Sequence, residues 1–417
     1  MSNLAELVKA RDVDAIRSYM AEHNLKLDGL QIVPADAATK KSLKAQEDFW
    51  NQRQQARKIL LNSLYGALLN EGLRFYDERL GQSVTLTGRS IVRHMNAKSN
   101  EVITGEYDYM GRAIVYADTD SCYFSAYEIL KEDPAYADFE WTRENIISLY
   151  DNISDVVNES FPEFMQRSFN TTLERGAIIA AGRELVASSG LFIKKKKYAV
   201  LMYDKDGTRL DKGNSPGKLK AMGLDLKRAD TPKYMQKFLE GLLMDVLQDG
   251  SKAVAFDQIR EFRVGFKARP SWEKGAPKAV KGLSVYGDKL SKSHKVGVMS
   301  KEGKSKVNMP GHVRASLNWN TLCELNDDRY TPRITDGTRI VVCPLKSNAL
   351  RMDSISYPID VDANHLPRWF KELPFDEAAM EDKIIDFKLK NLLGVLDWNL
   401  QDTKDIPGEE FFTFEEY

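Results

Sequence analysis

The chain has 417 residues, 42% apolar and 29% charged, enough for two or three domains with a sizeable core. Its 60 Lys and Arg against 61 Asp and Glu leave a net charge of −1, which excludes a uniformly polybasic protein but not a nucleic-acid binder with localised charge. Three scattered cysteines without CxxC spacing speak against a disulfide framework or structural zinc, no run of 18 apolar residues predicts a membrane span, and the charged start MSNLAELVKARD does not read as a signal peptide.

Residues 4–24 carry the apolar spacing of a short helical hairpin. Residues 40–70, KKSLKAQEDFWNQRQQARKILLNSLYGALLN, read as one long helix, with Phe49, Trp50, Ala56, Ile59, Leu60, Ser63, Leu64 and Ala67 near helical period and Gly72 as its stop. A second helix is expected over 82–100, then a hairpin: RAIVYA, the polar turn DTDS, and CYFSAY. Another helix follows over 141–168, and GLFIKKKKYAVLMYDKDG holds two β-like runs around a basic cluster. Helix is expected again over 231–247, entered at Thr231-Pro232. Residues 267–310, rich in Lys, Gly and Ser, read as a long loop region; TDGTRIVVCPL reads as a strand and EDKIIDFKLKNLLGVLDW as a closing helix. The set predicts an α+β fold with at least two domains and a break in 220–230.

Charge is segregated along this order. Residues 191–237 hold 13 Lys/Arg against 5 Asp/Glu, residues 267–306 hold 11 against 3, and residues 372–417 hold 4 against 13. Basic blocks attract polyanions and release counterions from phosphate backbones, although either block alone also fits a solvated loop surface.

Two motifs carry chemistry. Tyr116-Ala117-Asp118-Thr119-Asp120-Ser121 puts two carboxylates at a tight turn between apolar strands, where they converge on one point. A hard cation such as Mg²⁺ takes oxygen ligands, and phosphoryl-transfer sites use few protein carboxylates. Alone, the pattern also serves as a solvent-facing Asx turn, and a two-metal site needs a further carboxylate from elsewhere. In Lys58-Ile59-Leu60-Leu61-Asn62-Ser63-Leu64-Tyr65-Gly66, the lysine, amide and phenol at i, i+4 and i+7 share one helix face. That face could hold a triphosphate, then a sugar, then a base pair, with Gly66 admitting a close approach. Alone, it is also what an amphipathic helix with a snorkelling lysine presents.

Together, KILLNSLYGALLN and, about fifty residues later, YADTDS resemble the B-type and C-type motifs of family B DNA polymerases, most nearly the replicative polymerases of T-even-type bacteriophages. Downstream order agrees. Lys195-Lys196-Lys197-Tyr198 resembles the basic KKRY-type signature of that family; Lys220-Ala221-Met222-Gly223 and Lys227-Arg228-Ala229-Asp230-Thr231-Pro232 resemble the start of the thumb; MPGHVRASLNWN and RITDGTRIVVCPL resemble its late part. The resemblance runs from about residue 40 to about residue 395. It implies a right-hand polymerase architecture: partial fingers over 1–70, the C-terminal part of an antiparallel palm with flanking helices over 71–222, a mostly helical thumb over 223–395, and an acidic aromatic tail over 396–417.

The resemblance also implies roles. Lys58 contacts the incoming dNTP triphosphate as part of the catalytic set, with Asn62 beside it, and Tyr65 and Gly66 check the nascent base pair from its minor-groove side. Asp120 bridges two Mg²⁺ ions with Asp118 close by. Lys195, Lys196, Lys197 and Tyr198, followed by Lys220, Gly223, Lys227 and Arg228, hold primer–template DNA. Lys197 stands where arginine is usual, which keeps the charge and loses a bidentate donor. Phe411, Phe412 and Phe414 in the tail resemble a sliding-clamp peptide in kind.

The family's D-x-x-S-L-Y-P palm stretch is not found. Ser148-Leu149-Tyr150-Asp151 shares three letters but follows the aspartate turn, only 57 residues precede Lys58, and the exonuclease domain with its D-x-E metal site is not found. The expectation is the C-terminal subunit of a split DNA polymerase in the cytoplasm of an infected bacterium. It would be active only with an N-terminal partner chain that carries the exonuclease, the first palm aspartate and the first fingers helix, and that shares the metal ions. The alternatives are a laboratory truncation of a full-length polymerase, a DNA-binding scaffold that lost its chemistry, and a metal-dependent nuclease built on Asp118 and Asp120. The intact Lys58/Asn62/Tyr65 stripe and both aspartates favour the polymerase.

Overall fold

The computed structural model describes residues 4–29, 31–286 and 309–404. The chain divides into two compact units, Met1–His94 and Met95–Tyr417. Each combines helices with small antiparallel sheets, an α+β architecture.

In the first unit, α1 (Leu4–Lys9) and α2 (Val13–Glu22) precede an antiparallel hairpin of β1 (Leu25–Asp28) and β2 (Gln31–Pro34). The long helix α3 (Ala37–Leu68) follows. Asp36 caps it from an extended backbone, its Oδ1 accepting the Thr39 N–H at 2.7 Å. Asn24 donates to Asp36 at 2.7 Å and to Thr39 Oγ1 at 2.6 Å, which ties the hairpin to the helix start. The Thr39 amide, then Asn24, hold the Asp36 carboxyl below its ordinary value. No residue of α3 is buried; Leu60 and Leu61 are each 69% exposed. The helix ends at Leu68 rather than at Gly72. The Leu69 N–H closes the last turn on the Ala67 and Gly66 carbonyls, and Gly72 lies beyond, its N–H held by Asn70 Oδ1 at 3.0 Å. An asparagine-bonded turn stops this helix, not a left-handed glycine. The next helix, α4 (Glu78–Thr104), exceeds the expected range at both ends and runs from the first unit into the second.

The second unit opens with the expected hairpin, β3 (Ile114–Asp118) and β4 (Ser121–Phe124). With α5 (Tyr127–Leu130) and α6 (Arg143–Phe169) it encloses a small core of Ile103, Ala113, Ala126, Leu130 and Ile153. Helix α6 buries Ile153, Val157, Phe161 and Met165, one residue per turn, between a Thr142 cap and a left-handed Asn170. After α7 (Leu173–Gly176) comes an antiparallel sheet in which β6 (Lys197–Lys205) pairs with β5 (Leu185–Lys194), β7 (Thr208–Arg209) and β8 (Lys218–Met222).

The main core runs from Leu191 to Leu393. It gathers α8 (Lys233–Gln248), α9 (Lys252–Lys267), β9 (Ala276–Ala279), α10 (Gly311–Leu325), β10 (Arg339–Pro344) and β11 (Ser354–Pro358), the strands in the order β11-β10-β9. The loop expected over 267–310 is therefore partly strand. Ala276 and Val280 are buried, and β9 pairs with β10 because burial there outweighs its loop-like composition. Residues 287–308 of that stretch lie outside the described residues. Helix α9 was not anticipated; it buries Ala255, Phe256, Ile259 and Phe266 together with Arg263. The closing segment comprises α11 (Arg368–Lys371), α12 (Glu377–Glu381) and α13 (Phe387–Leu393), with a π-turn at Asp382–Asp386 between the last two. Arg263, 1% exposed, donates to Glu381 at 2.7 Å and to Asp386 across that turn.

Candidate active site: the aspartate hairpin and the lysine turn

The register of β3 on β4 pairs Tyr116 with Tyr123, Ala117 with Cys122 and Asp118 with Ser121. Thr119 and Asp120 are thus a two-residue turn, with Thr119 left-handed at φ 56°. The Asp120 N–H bonds the Asp118 carbonyl at 2.6 Å, and the Ser121 hydroxyl donates to the same carbonyl at 3.1 Å. The tight closure puts both aspartates at one hairpin tip. Asp120 is exposed, and its carboxylate has no hydrogen bond or ion pair among the described residues. Cys122, in the adjacent strand, is an inert neighbour: burial pushes its thiol up to about 12.

The basic cluster also forms a hairpin tip. Lys194 pairs with Lys197, so Lys195 and Lys196 make the turn, with Lys196 at φ 63°. The Lys196 N–H donates to the Tyr116 hydroxyl at 2.8 Å, and the Lys196 ammonium lies 3.9 Å from Asp118 Oδ2. On the other side, β8 ends at Met222 opposite Tyr198, and Gly223 follows at φ 64°. A Cβ on Gly223 would lie 2.1 Å from the Lys196 carbonyl oxygen, so the turn rests directly on this glycine.

Beneath both tips sits an aromatic cluster. Tyr116, Tyr123, Phe192 and Tyr198 have ring centroids 5.2 to 6.3 Å apart, with Phe192 and Tyr198 stacked. The Tyr123 hydroxyl donates to that of Tyr198 at 3.3 Å, and burial first of all raises both phenols above their ordinary value. Composition alone did not single out Tyr116, Tyr123 or Phe192. Their signal was the period-2 alternation that puts them on one face of the two hairpins.

The other expected DNA-binding residues differ in freedom. Lys195 is exposed without a partner among the described residues. Lys220 is held by Glu184 at 2.8 Å. Lys227 lies 4.0 Å from Glu240, and Arg228 makes two 3.0 Å bonds to Asp230. Arg228, then Lys278, keep the Asp230 carboxyl far below its ordinary value.

The residues expected to face a nucleotide belong to the first unit. Lys58 and Asn62 share one exposed face of α3 with Trp50, Arg53, Gln54, Arg57 and Leu61. No carboxylate pairs with Lys58, Arg53 or Arg57 among the described residues; Arg53 instead lies over the rings of Phe49 and Trp50. The Tyr65 hydroxyl bonds Thr85 Oγ1 at 2.9 Å, which fixes the ring on α4. Nothing lies within 4 Å of the position a Cβ on Gly66 would take, so a surface can approach there. Among the described residues no group of three or more His, Cys, Asp or Glu could hold a metal ion. The oxygen donors of Asp118 and Asp120 suit a hard divalent cation as two ligands of a larger set. Phe411, Phe412 and Phe414 lie outside the described residues. No helix among those described is long and apolar enough to cross a membrane.

Residues 32–135 match the family model of DNA polymerase family B, a span that holds both the Lys58 helix and the Asp118–Asp120 turn. Over 326 residues the chain is 27% identical to the DNA-directed DNA polymerase of Escherichia phage RB69, covering 74% of this chain and 33% of that polymerase. It is 26% identical over 312 residues to the DNA-directed DNA polymerase of Enterobacteria phage T4, covering 71% and 32%. A 69-residue stretch is 36% identical to DNA polymerase II of Escherichia coli, covering 16% of this chain and 8% of that protein. The chain spans about a third of the length of the phage relatives it matches. In residues 32–135 the chain is thus similar to a DNA polymerase family B domain, and it is similar to these phage DNA polymerases along more than two thirds of its own length.

Proposed function

We propose that this chain is the fingers-end, palm and thumb part of a DNA-directed DNA polymerase, adding deoxynucleotides to a primer 3′-OH. On this proposal residues 1–70 belong to the fingers, 71–222 to the palm, 223–395 to the thumb, and 396–417 form a clamp-binding tail. A partner chain supplies the exonuclease, the first palm aspartate and the first fingers helix. The observation that carries the proposal is the meeting of two motifs about eighty residues apart, with Lys196 bonded to Tyr116 at 2.8 Å beside Asp118. The relationship to DNA polymerases adds support. A further carboxylate from outside this chain's turn is supported by chemistry: two carboxylates on one turn are fewer ligands than a two-metal site requires.

Asp118 and Asp120 would hold Mg²⁺, which when bound stabilises the attacking and leaving oxygens of the displacement. Lys58 offsets charge on the departing pyrophosphate, an electrostatic contribution to the transition state. Asn62 lies beside the triphosphate, and Tyr65, held by Thr85, meets the minor-groove edge of the new pair above the open Gly66. Lys195, Lys196, Lys197 and Tyr198 grip the primer–template end, and Lys220, Gly223, Lys227 and Arg228 continue that contact without reading sequence. The test is primer extension by this chain mixed with a chain carrying the missing parts. Extension is expected from the mixture, with Asp120→Ala lowering it at least a thousandfold. Full activity in Asp120→Ala would refute the assignment.

A further inference from the structure

We propose that α3 carries a stacking platform for single-stranded DNA, formed by Trp50 with Arg53 and Arg57, about two helical turns before Lys58. Its occupant is the unpaired template strand beyond the primer end, a choice that rests on the polymerase reading given above.

Trp50, Arg53 and Arg57 stand at i, i+3 and i+7, on one side of the helix. Trp50 is 62% exposed and the adjacent Phe49 51%. A flat, water-exposed ring is what an unstacked base covers, whatever its identity. The Arg53 guanidinium already lies over both rings, 5.5 Å from the Trp50 centroid and 5.4 Å from that of Phe49, so charge and ring are assembled before a ligand arrives. The charge around them has one sign. From residue 49 to residue 70 the sequence has three cations, Arg53, Arg57 and Lys58, and no acid. Just before that stretch, Glu47 and Asp48 are both held by Lys44, at 3.0 and 3.3 Å. A protein helix packed on this side would strip water from unpaired cations, whereas a phosphate backbone pairs with them. The position along the helix selects the strand. The residues expected to meet the incoming nucleotide run from Lys58 toward Gly66, and Trp50 lies about 12 Å from Lys58 in the opposite direction. A base stacked on Trp50 therefore belongs to a strand other than that nucleotide.

The experiment is binding of the full chain, without metal or nucleotide, to oligothymidylate of about twelve nucleotides, read by anisotropy of a labelled strand and, with an unlabelled strand, by quenching of tryptophan emission. Trp50→Ala is expected to weaken binding about tenfold, and Trp50→Phe to keep most of the affinity while losing the quenching. Arg53→Met and Arg57→Met are expected to weaken binding and to flatten its salt dependence. Ile59→Ala removes an equally exposed apolar side chain, 61% exposed, from the opposite side of α3 and is expected to change affinity less than about twofold. A duplex with a 5′ template overhang is expected to bind more tightly than the blunt duplex, and Trp50→Ala to remove that difference. Parent-like affinity in Trp50→Ala overturns the platform; if that variant also loses self-association in sedimentation, the face belongs to a second copy of the chain. An equal loss in Ile59→Ala, or quenching that survives in Trp50→Phe, overturns it too. None of these outcomes touches the polymerase reading, which is tested by primer extension and Asp120→Ala. Binding and quenching beside failed primer extension keep the single-strand platform and overturn the template as its occupant.

Discussion

Gly223 does its work by what it lacks. Its φ of 64° and the Lys196 carbonyl 2.1 Å from its virtual Cβ leave no room for a side chain. The obstacle is backbone, so no rotamer change relieves it. Gly223→Ala must shift the Lys195–Lys196 turn, and with it the 2.8 Å bond from Lys196 to Tyr116. The expected cost is about 1 kcal/mol or more of stability, since alanine also disfavours this φ. Urea unfolding measures that cost, and duplex affinity by fluorescence anisotropy is expected to fall in parallel. An unaltered affinity would separate the glycine from the grip. In the sequence the glycine stands in Lys220-Ala221-Met222-Gly223, a stretch that resembles the start of a polymerase thumb. Its action through the carbonyl of a residue 27 positions earlier was not, because that contact exists only once β8 pairs with β6.

Both chemically important elements are hairpins, and both were readable from alternating apolar residues around a short polar turn. Their tips are unlike in charge, acidic at Asp118–Asp120 and basic at Lys194–Lys197. The aromatic cluster of Tyr116, Tyr123, Phe192 and Tyr198 holds them side by side. On the proposed function, Lys195 and Lys196 project from a turn and would present their charge to a phosphate backbone at little reorganisation cost. Replacing Lys195, Lys196 and Lys197 together by Ala is expected to weaken duplex binding for every sequence and to flatten its dependence on salt by about 2 to 3 in log–log slope. Binding measured from low to moderate salt checks this; an unchanged slope would remove the cluster from the interface. Elements whose burial depends on distant partners were less legible. Strand β9 lies in a stretch with loop composition and is a strand because β10 accepts it, and α3 stops four residues before the glycine that marks its end on paper.

At the scale of the molecule, the second unit holds one large core and the first holds a long helix without a buried residue. The core depends on a charge network as well as on apolar packing. Arg263 is 1% exposed and binds Glu381 and Asp386, joining α9 to the last helices. Replacing Arg263 by Met leaves Glu381 without its cation and Asp386 with Lys404 alone, and breaking such a buried pair costs about 3–5 kcal/mol. Urea unfolding is expected to show that loss, while the hairpins keep their local contacts. In α3 the exposed Ile59, Leu60, Leu61 and Leu64 stand next to the Lys58 and Asn62 face. Sequence by itself determined the elements with strong local periodicity: the long α3, the two hairpins, α6 and α8. It also determined the identity of the carboxylates and cations they carry, because period and turn chemistry are properties of neighbours along the chain. Tertiary structure alone decided that the Lys196 amide bonds Tyr116 beside Asp118, that Gly223 supports that turn, and that Arg263 is buried among acids. Those contacts join residues 27 to 123 positions apart, and only packing against a shared core brings such residues within a few ångströms.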